Sequence, residues 1–280
     1  MLLLVKKIAF IGKLKYLFSI LLLLTTGYLA LSQEEFRKAE NNAFHSGEKL
    51  TFRFYYDSWM TGKVTAGIGV IEVKDQKKTF NDRKVFLIES DGKSKGMFNW
   101  FYKVHDRFKS YVDKEFMAPY YFVRRTREGG YKKDDEYTFD QVNHTVTTRS
   151  VTMAIPPYTQ DFLSAIYYAR TLNGDTLKTG DIIPISFFLD DSVYVSSIVF
   201  EGRDTIEVDL GSFRCLRFRP GLVSGEVFSD KYPMTLWISD DKNHLPILAK
   251  SKVIVGNLKA ELIEYEGLKN PVNSLIEKNE

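Results

Sequence analysis

Along residues 48–56 apolar and polar side chains alternate: Leu50, Phe52, Phe54 and Tyr56 fall on one side, Lys49, Thr51 and Arg53 on the other. A period of two marks a half-buried strand, because successive side chains of an extended chain point to opposite faces. The pattern continues over 64–74, where Gly62, Gly67 and Gly69 signal a bend, a bulge or a close approach of backbone. It returns over 84–90, 102–112, 120–127, 135–140 and 145–152, divided by turn formers such as Asn81-Asp82, Glu128-Gly129-Gly130 and residues 141–144. Beyond Gly180 it resumes over 183–189, 193–201, 204–210, 213–218, 234–239, 245–255 and 258–266. One segment breaks the rhythm. Phe162, Leu163, Ile166 and Ala169 recur at helical spacing over 160–172. Thr159 stands as a candidate N-cap, Asp161 suits the positive end of the helix dipole, and Asn173-Gly174 provides a stop. That helix must bury its apolar stripe against the strands. Many short strands without a βαβ rhythm predict a mainly β fold: an antiparallel curved sheet, half-barrel or barrel-like, with one packed helix.

The first thirty-two residues obey a different pattern. Lys6, Lys7, Lys13 and Lys15 precede an apolar run over 17–24, and Ala30-Leu31-Ser32 offers small residues for cleavage before Gln33. That order predicts a signal peptide over 1–32, export to the periplasm, a lead-in over 33–47, one β-rich domain over 48–266 and a flexible tail over 267–280. The alternative is an inner-membrane anchor left uncleaved, although the apolar run is shorter than the roughly 20 residues a spanning helix needs. Losing 1–32 removes four lysines and no acid, which takes the formal charge from +3 to −1. A near-neutral remainder gives no electrostatic case for nucleic acid. Membrane association after cleavage is then at most peripheral. The single cysteine, Cys215, makes an internal disulfide impossible, so stability has to come from the core.

Candidate chemistry is sparse. His45, His105, His144 and His244 lie far apart, without the spacing of a zinc set, so no metal or other cofactor is expected. Cys215 alternates with Phe213 and reads as core filling, and Ser239-Asp240-Asp241-Lys242-Asn243-His244 lacks the closing Glu of a calcium loop and reads as a hairpin turn. A glycan or lipid hydrolase would need carboxylates such as Asp106, Asp113 and Asp140 to converge. Rings are the most suggestive feature: Trp59, Trp100, Phe101, Tyr102 and Tyr121 exceed what one core face needs and are candidate contacts to an apolar ligand. Arg124 and Arg127, on a predicted hairpin, are candidate docking residues for another envelope protein.

Several runs occur together in order: Gly47-Glu48-Lys49-Leu50-Thr51-Phe52, Phe101-Tyr102-Lys103-Val104-His105-Asp106-Arg107, Asp161-Phe162-Leu163-Ser164-Ala165-Ile166-Tyr167-Tyr168-Ala169-Arg170 and Leu236-Trp237-Ile238-Ser239-Asp240-Asp241. Over about 44–265 the chain resembles the exported bacterial domain-of-unknown-function family 3108, in a Bacteroidetes-like form. The resemblance implies a β-rich envelope protein and transfers no catalytic residue. The expected function is a non-enzymatic envelope protein whose concave side, partly closed by the helix, binds an apolar or lipid-like ligand. The alternatives are a docking or assembly protein, and the hydrolase.

Overall fold

The computed structural model describes residues 36–58, 62–221, 234–252 and 257–278; the expected signal peptide and Trp59 lie outside them. Alternation builds strands β1 (Lys49–Ser58), β2 (Gly62–Phe80) and β3 (Arg83–Ser94), then a short helix α1 (Gly96–Phe101). β4 (His105–Asp113), β5 (Pro119–Glu128), β6 (Tyr131–Asp140), β7 (Thr145–Thr147) and β8 (Thr152–Ala154) follow, and then helix α2 (Phe162–Ala169). The second half carries β9 (Ile182–Leu189), β10 (Ser192–Val208), β11 (Gly211–Pro220), β12 (Met234–Ser239), β13 (Pro246–Lys252), β14 (Asn257–Glu266) and β15 (Leu275–Glu277). All join one antiparallel sheet in the order β8-β7-β6-β5-β4-β3-β2-β1-β14-β13-β12-β11-β10-β9, with β15 paired to β11. β1 and β14 meet in its middle, from Lys49 opposite Glu266 to Asp57 opposite Asn257.

Side chains bring the two flanks of this open sheet together. Phe188 of β9 packs with Phe122, Tyr137, Phe139, Val146 and Ile155 from the other flank, its ring edge-on to Tyr137 at 4.9 Å between centroids. Asp190, in the turn after β9, takes Arg124 of β5 and Lys133 of β6. The segment before α2 straps the seam: the Gln160 amide donates to Ser186 O at 2.8 Å, and the Phe188 amide donates back to Gln160 O at 2.9 Å.

Helix α2 starts later than Thr159 would place it, because the Thr159 hydroxyl donates to Pro156 O instead. Asp161 is the N-cap, accepting from the Leu163 and Ser164 amides at 2.8 and 2.9 Å, while Ser164 Oγ accepts from the Asp161 amide. Both arms of a capping box are therefore made. Leu163 and Tyr167 insert among Phe44, Val73, Phe86, Ile88, Val112 and Met117. The space beneath the helix is filled with side chains, so the open volume expected there does not lie there. Phe44, in the expected lead-in, is buried in this core.

Asp161 itself is fully buried and also accepts from the Ser110 hydroxyl. Burial outweighs these donors and pushes its carboxyl up to about 6. A folded value above the unfolded one of about 3.9 means that the stability this group contributes is full below pH ~4 and is lost as pH rises through ~6. Urea midpoints between pH 4 and 7 should show a decline worth about 2–3 kcal/mol from this group. Asp161→Asn, which keeps a cap acceptor, should flatten it; an unchanged slope in the variant would place the titration elsewhere.

A buried ion pair ties α2 to the sheet. Arg170, just past the helix, grips Glu48 in two parallel contacts of 2.6 and 2.7 Å, both side chains at most 1 % exposed. Its Nε and Nη2 donate to Asn243 O, the Tyr167 hydroxyl donates to Glu48, and the guanidinium lies against the touching Phe44 and Tyr167 rings.

Other expectations are revised by the pairing. The expected runs 193–201 and 204–210 merge into one strand, Ser192–Val208, with Gly202 at a bulge opposite β11. Residues 145–152 split into a small hairpin turning at 148–151. The tail expected to be flexible is held: Leu268, Val272 and Leu275 pack on the Leu50–Phe213–Leu262 cluster, and the Ser274 hydroxyl donates to Asp241 at 2.6 Å. Asp241 meanwhile shapes the hairpin turn by accepting from Ser239 Oγ and the Asn243 amide, so the acidic doublet is structural as expected. Cys215 is buried core, its thiol pushed up to about 12 by desolvation.

Candidate functional site

Gly96, at φ +59°, turns the chain out of β3 and starts α1, Gly-Met-Phe-Asn-Trp-Phe, none of whose residues is buried. Met97, Trp100 and Phe101 are 74, 81 and 71 % exposed, with Phe98 and Tyr102 beside them also exposed. Asn99 is the one polar side chain among them, and Ser94 Oγ donates to its carbonyl at 2.6 Å. The exposed surface here is therefore mainly apolar. Its base is well held: the Ser94 amide donates to Val104 O, the Val104 amide donates to Ser94 Oγ, and the Lys95 amide donates to Ala66 O at 2.9 Å. Tyr102 lies over Gly129 in the β5–β6 turn, where a Cβ would come within 2.8 Å of the ring and φ is +57°. Trp100 and Phe101 stand edge to face with centroids 4.7 Å apart. A rigid base carrying rings into solvent is the reverse of core packing, and contiguous exposed apolar surface of this kind marks an interaction site.

A second feature is polar. Tyr55, Lys63, Asp209, Lys259 and Glu261 line a cavity of about 310 Å³. Tyr55 Oη donates to Glu261 Oε2 at 2.8 Å, Arg53 Nη2 reaches the same oxygen at 3.3 Å, and the Asp209 amide donates to Oε1 at 2.8 Å. Arg53 also pairs with Asp209 at 2.7 Å, which holds that carboxyl below its usual range. Lys259 pairs with Asp57 at 2.6 Å and likewise lowers it. Arg53, Lys63 and Lys259 all lie within 5.6 Å of the Tyr55 ring centre, and burial raises its phenol. The buried Glu261 is satisfied by three donors, so this cavity joins β1 and β14 to the β10–β11 turn through matched charges. Its lining does not suit an apolar ligand.

The residues singled out in the sequence therefore separate. Trp100, Phe101 and Tyr102 share the exposed tip. Tyr121 lies on β5, seven residues and roughly 23 Å of strand from Glu128 beside that tip, with its hydroxyl donating to Glu136. Arg124 is engaged by Asp135 and Asp190, and Arg127 by Asp134. Asp106 accepts from the Arg127 amide, Asp113 accepts from Arg83 at the opposite end of β4, and Asp140 caps the turn at 142–143. These carboxylates do not converge. Burial and then a hydrogen bond to Asp106 raise the Glu128 carboxyl, a pairing that sequence reasoning missed. The histidines are dispersed: His105 meets Asp91, and His244 meets Arg170 O. Among the described residues no group of three His, Cys, Asp or Glu side chains could hold a metal ion, and no helix is long and apolar enough to cross a membrane.

Residues 51–263 match the family described as "Protein of unknown function (DUF3108)". No curated protein matches the chain. Among solved structures, it is similar to a β-barrel-like protein of the domain of unknown function DUF1849 from Brucella abortus. The TM-score is 0.54 at 9 % identity, over 80 % of this chain and 99 % of that one. A putative exported protein with a YmcC-like fold from Bacteroides fragilis also aligns, over 80 % of this chain and 97 % of that one at 11 % identity, with a TM-score of 0.30. At these identities the Brucella structure bears on the fold alone, and its barrel-like form agrees with the curled sheet described above.

Proposed function

The chain belongs to DUF3108, a family of proteins of unknown function, and from that premise we propose that it is an exported, non-enzymatic envelope protein that engages an apolar or lipid-like ligand. The observation that carries this reading is α1, where Met97, Trp100 and Phe101 are all more than two-thirds exposed on a rigid base. Withdrawing each such side chain from water is worth about 1.5–3 kcal/mol, so the tip holds an unused driving force of several kcal/mol. The basic, apolar and small-residue order of 1–32 supports export. The docking alternative through Arg124 and Arg127 has less support, because both guanidiniums already meet the protein's own carboxylates.

Native mass spectrometry with organic extraction, on protein purified from the periplasm, should show a reproducible apolar adduct. The Trp100→Ala/Phe101→Ala variant should lose most of it while keeping the wild-type melting temperature. An empty wild-type protein, or an adduct indifferent to the two rings, would count against this function.

A further inference from the structure

The apolar tip does not stand alone. Lys95 and Lys103 bracket α1 and are both exposed. Lys93, Lys109 and Lys133 on the neighbouring strands each meet a carboxylate, whereas among the described residues neither Lys95 nor Lys103 has one at ion-pair distance. The lysines are tied to the same base as the rings. The Lys95 amide donates to Ala66 O, and Lys103 O accepts from the Gly129 amide at 2.8 Å in the adjoining turn. A protruding apolar knob with two lysines at its foot that form no ion pair matches the cross-section of an anionic membrane surface, with acyl chains at depth and phosphates above them. Trp and Tyr favour that boundary, and lysine stems reach along apolar surface while the ammonium stays at headgroup level.

We propose that the α1 tip docks peripherally on an anionic lipid bilayer, with Met97, Trp100 and Phe101 entering the acyl boundary and Lys95 and Lys103 contacting headgroup phosphates. This identifies the partner of the apolar site and so rests on the function read from that site. A bilayer suits the tip better than a protein groove. A groove reads one stripe of a helix, whereas α1 exposes Met97, Phe98, Trp100 and Phe101 together, and the carbonyl of its one polar side chain, Asn99, is taken by Ser94. The tip is also convex and short, which limits it to the interface and fits surface attachment by charge and apolar area together.

The test is flotation of the exported form with vesicles of equal parts phosphatidylglycerol and phosphatidylcholine, against vesicles of phosphatidylcholine alone. Wild type should float with the anionic vesicles at least tenfold more strongly than with the neutral ones, and less so as salt is raised. Lys95→Glu/Lys103→Glu should lose that preference, and Trp100→Ala/Phe101→Ala should lose binding to both. All variants carry the same N-terminal segment, so their differences report the tip. The substituted side chains are exposed, and a far-ultraviolet spectrum and melt identical to wild type will verify the fold. Equal flotation of wild type and both variants, or none with anionic vesicles, overturns the docking. If the extracted adduct is present but vesicles are ignored, membrane docking falls and apolar-ligand binding stands; if both are absent, both fall.

Discussion

Arg170→Ala should lower the stability of the folded protein by about 3–5 kcal/mol, because it leaves the Glu48 carboxylate buried without its countercharge. Glu48 is wholly buried, and both its oxygens are taken by one guanidinium. Its remaining donor, the Tyr167 hydroxyl at 3.2 Å, is uncharged. The Asn243 carbonyl would also lose two donors, and Phe44 and Tyr167 the cation that lies against both rings. Urea denaturation measures the loss directly. Glu48→Gln should be damaging in the same way, since it strands a buried guanidinium. Replacing both residues by apolar ones of similar size should restore part of the deficit, as buried pairs often yield to packing when removed together. Single variants that each cost less than about 1 kcal/mol would show that water reaches the pair.

Phe188→Ala should cost about 3–5 kcal/mol, the range for deleting a buried aromatic ring, and should loosen one place in particular. Phe188 is the β9 residue that fills the cluster on the opposite flank, edge-on to Tyr137 and to Phe139 at 6.3 Å. Without it the seam keeps Asp190 with its two cations and the two backbone bonds to Gln160. Hydrogen exchange should therefore accelerate at the Gln160 and Phe188 amides well before the middle of the sheet. Phe187→Ala is the control: its ring stacks on Tyr194 within the same hairpin and should cost less. Equal exchange at the seam and at the β1–β14 pair would mean that closure does not depend on this ring.

The period-two segments were legible because each needs only its own residues: β1, β5 and β9 lie within two residues of where alternation puts them. Gly67 was readable as a close approach, and a Cβ there would stand 2.6 Å from Lys93 O. α1 was not legible as a helix. Its six residues are too few to show a period, and Met97, Phe98, Trp100 and Phe101 have the composition of a buried strand. Only the turn at Gly96 hinted otherwise. The N-cap was misplaced because Thr159 and Asp161 are both good caps, and the choice is made by Pro156, whose carbonyl takes the threonine hydroxyl. The tail looked disordered by composition, yet Leu275 finds its place opposite Phe213. Arg53 and Glu261 sit at unremarkable polar positions of two strands 208 residues apart, so nothing local pairs them. Long-range partnership is what an alternating pattern leaves unspecified.

The pairing of β1 with β14 also sets an order of assembly. Lys49 and Glu266 are 217 residues apart, and closing a loop of that length costs about 5 kcal/mol of chain entropy. One edge of β1 stays without its partner until the last long strand arrives, however early β1 itself forms. The middle of the sheet is thus completed last, so the two halves become one cooperative body only when nearly the whole sequence is free to fold.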